Sequence, residues 1–360
     1  MAYPLLLHAS HQKTDVLYET LGPWVVPWRF ASFDTEYAAL RHSAGLIDYS
    51  SQAFICVEGP DRAGFLHNLL TQAIKQLTPG NGAPAALLTA NGKLVAEFMV
   101  LCNSDSLWLM CDASVAGQIT QTLNRYLFSE QVKITNHERE QAVFAIEGPK
   151  SFEMASQIFG SSFSPSDLNS HQRTVVEGIP LWLIQYSLTG KTGVLCAAPA
   201  REAETIWQLL QQKGKKSGLV LAGWEALNTT RIEAGIPWFG IDMNEDNLLP
   251  ETGLESTTVN DNKGCYLGQE IIARLGTYGS TNKKLMGLRI EGTVIPGVGA
   301  KIIDGTDVVG EITSACYSPL LKQPIALGYL KRGYYEPGKS VTIQQAGELL
   351  KASVVQRPLV

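Results

Sequence analysis

Two stretches of this chain, FICVEGPDRAGFLHNLL and VFAIEGPKSFEMASQIF, run through the same three steps: an apolar strand, a Glu-Gly-Pro turn and an amphipathic helix. After Glu58-Gly59-Pro60 the apolar residues Phe65, Leu66 and Leu69 recur at helical spacing, and after Glu147-Gly148-Pro149 Phe152, Ala155 and Ile158 do likewise. This internal repeat predicts two related halves, near 52–135 and 141–235. Between the copies, Asn91-Gly92 and the Asn103 to Ser106 stretch mark hairpin turns between alternating strands. Strands and helices in this order predict an α+β fold of sandwich layers, not a doubly wound parallel sheet.

A helix is expected at GWEALNTTRIEAG, where Trp224, Leu227 and Arg231 share one face and Gly235 closes the end. From Lys284 onward the chain changes to short strands separated by Gly and Pro turns: LMGLRIEG, AKIIDG, VVGEITSA, IALGYLKRG and SVTIQQAG. They predict a C-terminal antiparallel β-barrel over 284–360, after an α+β region over 1–283.

With 45% apolar and 18% charged residues, the composition is that of a globular protein. The N-terminal apolar run is too short for a signal peptide and lacks a basic region before it, and no segment approaches the roughly 20 apolar residues of a membrane span. These features predict a soluble, cytoplasmic protein. The net charge of −5 gives no global attraction to nucleic acid, so any anionic ligand must be held by local cations. Six cysteines stand at 56, 102, 111, 196, 265 and 316 without a CxxC or a nearby His, which suggests neither a zinc ribbon nor a thioredoxin-type site. Cys102 and Cys111 fall on facing strands of one hairpin and Cys56 and Cys196 in apolar runs, as packing residues do. His8 and His11 lie in a terminal arm without a suitable acidic neighbour and are expected to be solvated.

The octapeptide KGCYLGQE, Lys263 to Glu270, sets Cys265 three residues before a helix that Gly268 can start and Gly276 can end. The partial positive charge of that helix terminus and the Lys263 ammonium both favour a thiolate. The bland alternative is a small buried hydrophobe. Arg231, on an apolar stripe, must be paired, with Asp242 or Glu233 for example, or must face a ligand. Glu97 is either a ligand acceptor or the polar side of an edge strand.

Seven stretches in order, EYAALRHSAGLIDYS, VEGPDRAGFL, AIEGPK, TRIEAGIPWFGIDM, LPETGLE, GEITSACYSP and IALGYL, resemble the aminomethyltransferase family, the tetrahydrofolate-dependent T-protein of glycine cleavage. Within that superfamily Lys-Gly-Cys-Tyr-x-Gly-Gln-Glu looks like the signature of the YgfZ-type folate-binding proteins. The resemblance implies a GcvT-like three-domain ring with two ferredoxin-like α+β halves and a C-terminal barrel, and tetrahydrofolate or a folate derivative bound at its centre. It implies Cys265 as the reactive thiol, and Lys263, Arg231, Glu97, Tyr266 and Gln269 as residues facing the folate. Lys283, Lys284 and Arg274 are further cations for its glutamate tail, or a solvated rim. The implied role is support of iron-sulfur cluster assembly or repair, including iron-sulfur enzymes that modify tRNA, with iron-sulfur client or assembly proteins as partners.

The chain departs from the catalytic branch at two places. Where aminomethyltransferases carry Gly-Gly-x-x-Asp-Asp, this chain has Gly92-Lys93-Leu94-Val95-Ala96-Glu97, and where they carry Tyr-Thr-Gly-Glu-x-Gly-x-Glu, it has Leu188-Thr189-Gly190-Lys191-Thr192-Gly193-Val194-Leu195. A buried donor that loses its acceptor costs about 1 to 3 kcal/mol, so a pterin would need substitute acceptors. An aminomethyl or one-carbon transferase is the alternative function, and a non-catalytic scaffold for another flat anion the third.

Overall fold

The computed structural model describes residues 2–12, 15–160, 168–345 and 347–360. It divides into two compact units. Unit 1 holds Met1–Leu87, Val95–Leu227 and Thr257–Leu267, and unit 2 holds Leu88–Leu94, Asn228–Ser256 and Gly268–Val360. None of the described helices is long and apolar enough to cross a membrane.

Unit 1 opens with strand β1 (Tyr3–Pro4), helix α1 (His8–His11) and strands β2 (Leu17–Leu21) and β3 (Trp24–Arg29), joined in a small sheet of order β1-β3-β2. Helix α2 (Phe33–His42) follows, then β4 (Gly45–Asp48). The first repeat contains β5 (Gln52–Glu58), α3 (Arg62–Leu69), β6 (Gly82–Leu88), β7 (Leu94–Cys102), β8 (Ser106–Asp112), α4 (Ala113–Arg125) and β9 (Lys133–Asn136). The second contains β10 (Gln141–Glu147), α5 (Ser151–Phe159), β11 (His171–Val176), β12 (Ile179–Gln185), β13 (Gly193–Pro199), α6 (Ala203–Lys215) and β14 (Val220–Leu221).

Both repeats thus read β-α-β-β-β-α-β, a ferredoxin-like order with one more strand. Their sheets agree as well: β6-β7-β8-β5-β9 in the first and β11-β12-β13-β10-β4-β14 in the second. The one difference is β4, which precedes the first repeat in sequence yet inserts between β10 and β14 of the second, so the halves interleave. The two Glu-Gly-Pro turns are equivalent in conformation. Gly59 and Gly148 have φ of 108° and 124°, and an added Cβ would come within 2.0 Å of the Gln131 carbonyl and 2.6 Å of the Ser43 carbonyl respectively. Glycine is required twice, for the left-handed backbone and for the close approach.

The second half buries Phe144, Leu183 and Cys196 of its sheet against Met154 and Ile158 of α5 and Trp207 and Leu210 of α6. His11 corrects an expectation. It is buried, not solvated, and its Nε2 lies 3.0 Å from the Asp48 carboxylate. A partner 37 residues away in sequence could not be read from the terminal arm alone.

Helix α7 (Trp224–Glu233) runs from unit 1 into unit 2 and ends at Gly235, with φ of 70°. Unit 2 adds the short helix α8 (Leu249–Thr252); α9 (Glu255–Thr258) runs from unit 2 into unit 1, and α10 (Gln269–Tyr278) lies in unit 2. Helix α10 starts at the N-cap Gly268, as expected, but continues past Gly276 to Tyr278. Strands β15 (Lys283–Ile290), β16 (Lys301–Asp304), β17 (Asp307–Ser318), β18 (Gln323–Lys331), β19 (Ser340–Gln345) and β20 (Glu348–Val355) close into an antiparallel barrel of order β15-β18-β17-β16-β19-β20. Leu288, Ile302, Ile312, Leu330, Ile343 and Val354 fill its interior. Ile232 of α7 packs on its outside with Leu285, Ile325 and Leu327.

Candidate functional site

Glu97 lies on β7, an interior strand of the first sheet, which rules out the edge-strand reading. Its neighbours Ala96 and Phe98 are buried, while Glu97 itself stays half-buried. Among the described residues, no donor reaches its carboxyl. Burial, aided by the Asp112 carboxylate, pushes that carboxyl up to about 7. Glu97 is thus a strand-centre acid that is desolvated yet still partly open.

Asp112, at the end of β8, is held by the Trp24 indole N–H at 3.0 Å and by the Ser114 backbone N–H at 2.9 Å. Burial raises its carboxyl too. Tyr49 stacks on Trp224, ring centres 5.6 Å apart and 26° between planes. Burial raises the Tyr49 and Tyr186 hydroxyls, and each also feels the charges of Glu97 and Glu147. Four titratable side chains in unit 1, Glu97, Asp112, Tyr49 and Tyr186, are thus electrostatic neighbours, and among them Glu97 alone is a site residue expected from the sequence.

Glu147 is fully buried. Its carboxyl accepts from the Leu188 backbone N–H at 3.1 Å and from the Thr189 and Ser187 hydroxyls at 3.1 and 3.3 Å. Burial outweighs these bonds and pushes it up to about 8. Gly193 leaves room for it, since an added Cβ would fall 1.9 Å from Oε1. The 187–193 segment therefore wraps a carboxyl supplied by the repeat turn. The matching Glu58 lies half out in solvent, 3.7 Å from Lys133.

The Cys265 segment is fastened to the rest of unit 1 at several points. Thr71 Oγ1 donates to the Thr258 carbonyl at 2.7 Å, and the Asn260 N–H donates to the Thr71 carbonyl at 3.1 Å. Lys263 is buried, and its ammonium donates to the carbonyls of His67 and Leu70, at the C-terminal end of α3, and of Gln72. It also lies 5.0 Å from the centre of the buried Tyr266 ring. Burial pushes the Lys263 amine down to about 8 and the Tyr266 hydroxyl up to about 12. The sequence offers Lys263 as a cation beside the thiol and for the folate; in the fold its ammonium is engaged by backbone carbonyls. Cys265 is exposed, and the other five cysteines are buried. Burial pushes the Cys56, Cys196 and Cys316 thiols up to about 11, 12 and 12.

Unit 2 holds the remaining two expected residues. Gln269, half-buried, is the first residue of α10. Arg231 is fully buried and ion-paired with Asp242; it also donates to Asn228 at 2.9 Å, the Ile236 carbonyl at 3.1 Å and Ser314 at 2.7 Å. Its guanidinium carbon lies 4.5 Å from the Trp238 ring centre. Of the two readings of Arg231, the ion pair with Asp242 is the one realised. Lys283 sits over the Tyr329 ring at 4.8 Å, 3.9 Å from Glu251.

Residues 7–262 match the GCVT N-terminal domain, and residues 283–360 match the glycine cleavage T-protein C-terminal barrel domain. The chain belongs to the glycine cleavage T-protein family. Aminomethyltransferases of Geobacillus sp. and Symbiobacterium thermophilum are 26% and 28% identical to it, each over 98% of this chain and over 97% and 96% of their own. The crystal structure of the glycine cleavage system aminomethyltransferase T from Bartonella henselae, 21% identical, superimposes with a TM-score of 0.88 over 100% of this chain and 98% of that one. That likeness fixes the fold: GcvT-like, mixed α+β, with a closed six-stranded barrel at the C-terminus.

Proposed function

We propose that this T-protein family member is a cytoplasmic, YgfZ-type folate-binding accessory factor for iron-sulfur cluster assembly or repair, with Cys265 as its reactive thiol. The observation that carries the folate half is the Glu97 carboxyl, desolvated and without a donor among the described residues. A reduced pterin offers paired N–H donors and the nitrogens that carry one-carbon groups. Glu97 would accept from those donors, while Tyr49 and Tyr186 supply aromatic edges and hydroxyls beside it. Glu147, saturated by its own hydrogen bonds, would hold the wall and not the ligand. The thiol half rests on Cys265, the exposed cysteine of the six, in a segment tied down on both sides of Thr71 and at Lys263. Its partners in this reading are iron-sulfur client or assembly proteins, among them enzymes that modify tRNA.

A second reading, a tetrahydrofolate-dependent aminomethyl or one-carbon transferase, is favoured by one feature: a carboxyl that titrates near 7 is suited to exchange a proton with a substrate amine. Calorimetric titration with tetrahydrofolate tests what both readings share. We expect binding in the micromolar range or weaker, weakened further by salt because the glutamate tail is anionic. Absence of any heat at millimolar tetrahydrofolate would remove folate and leave a scaffold for another flat anion.

A further inference from the structure

Lys263 stands in the signature octapeptide, yet its amine is engaged by backbone carbonyls. The helix α3 ends at Leu69 and its Leu66 carbonyl accepts from the Leu70 N–H, so the carbonyls beyond Leu66 have no further turn of helix to supply donors. The Lys263 ammonium supplies donors to two of that end, His67 and Leu70, and to Gln72 just beyond. A cation at a helix C-terminus is also favoured by the helix dipole. The charged and titratable groups around it are His67 and Lys75 on the α3 side, and Tyr266 on its own loop, itself near Asp261. No carboxylate among the described residues pairs with it. An ammonium buried on three carbonyls is a strong local fastener, because releasing it takes a charged donor from His67 and Leu70 and leaves the Gln72 carbonyl with the Ile74 N–H at 2.9 Å.

We propose that Lys263 is a positioning residue for Cys265: by capping α3 and the turn after it, its ammonium pins the loop 257–267 to the end of α3 and holds the thiol, two residues on, in one presented place. The inference rests on the reading of Cys265 as the functional thiol. It gives the signature lysine a mechanical task, distinct from binding an anion.

The first test uses the unmodified protein. Because burial lowers its basicity, an accessible Lys263 amine would acylate faster than ordinary lysines. Under limiting acetic anhydride, mass spectrometry should instead find Lys263 labelled at least about tenfold more slowly than the exposed Lys133. Labelling as fast as Lys133 overturns the proposal. The second test compares Lys263→Met, which keeps an apolar stem, with Lys263→Arg, which keeps the cation. In the Met variant, hydrogen exchange over 257–267 should rise at least about tenfold while the β10 and β13 amides stay as protected as before, and support of iron-sulfur clients should fall. Arginine should restore part of both. Exchange over 257–267 equal to that of the parent chain overturns the inference and leaves Cys265 untouched. Full client support by Cys265→Ser instead removes the functional reading, and the labelling and exchange results at Lys263 stand regardless.

Discussion

Replacing Arg231 with methionine should destabilise unit 2 by about 3 to 5 kcal/mol, the cost of leaving one member of a buried ion pair without the other. Asp242 keeps the Trp238 backbone N–H and the Thr313 and Ser314 hydroxyls, but loses its only cation among the described residues. Methionine follows the aliphatic stem and retains contact with Trp238, so the loss is electrostatic more than volumetric. Because two units share the chain, a single global unfolding energy is a poor measure. Hydrogen exchange of the β17 and β18 amides reads the effect directly. The double variant Arg231→Met/Asp242→Leu should recover most of the protection, since a well-packed apolar pair often equals a buried ion pair. A methionine variant as protected as the parent would mean that the pair contributes nothing to the fold.

Glu97→Gln should act in opposite directions on stability and on binding. The carboxyl is raised from 4.5 to about 7 in the folded chain, so folding favours its protonated form. Below about pH 4.5 it is neutral in both states and costs nothing. Between 4.5 and 7 the unfolded chain ionises first and gains stability, and above 7 the full penalty is in place. Glutamine is neutral throughout. At pH 8 the variant should therefore be more stable than the parent by about 1 to 3 kcal/mol, the lower part of that range applying because Glu97 is only half-buried. At pH 4 the two should be equal. Folate affinity should fall at least about tenfold, since the amide keeps one acceptor and turns a donor toward the pterin N–H groups. Stability gained where binding is lost is the pattern expected of a site residue. Equal stability at both pH values, with unchanged folate affinity, would place Glu97 outside any site.

What could be read from the sequence was local. The two Glu-Gly-Pro turns were legible because glycine marks a backbone that other residues rarely adopt, and the helix ending at Gly235 for the same reason. Five barrel strands stood out between their Gly and Pro turns, but β20, in ELLKASVVQ, carries no comparable pattern and is defined by its partners β15 and β19. The insertion of β4 between β10 and β14 is likewise a matter of distant pairing. Glu58 and Glu147 occupy identical tripeptides, and only the surrounding chain exposes one and buries the other. Tyr49, Tyr186 and Asp112 gave no signal, since each becomes part of a site only when three separate strands and loops converge. The carbonyl partners of Lys263 are hidden for the same reason: nothing in a Gly-rich segment shows that the end of α3 lies beside it.

The most direct test of the account is whether Cys265→Ser supports iron-sulfur enzymes in cells that lack the parent protein, with the thiol's alkylation rate measured alongside. Serine nearly preserves volume at an exposed position, so folding and folate binding should survive within about 1 kcal/mol. The account predicts that Cys265 alkylates faster than the five buried cysteines and that the serine variant, though folded and folate-competent, fails to sustain its clients. Full support by the serine variant would contradict it.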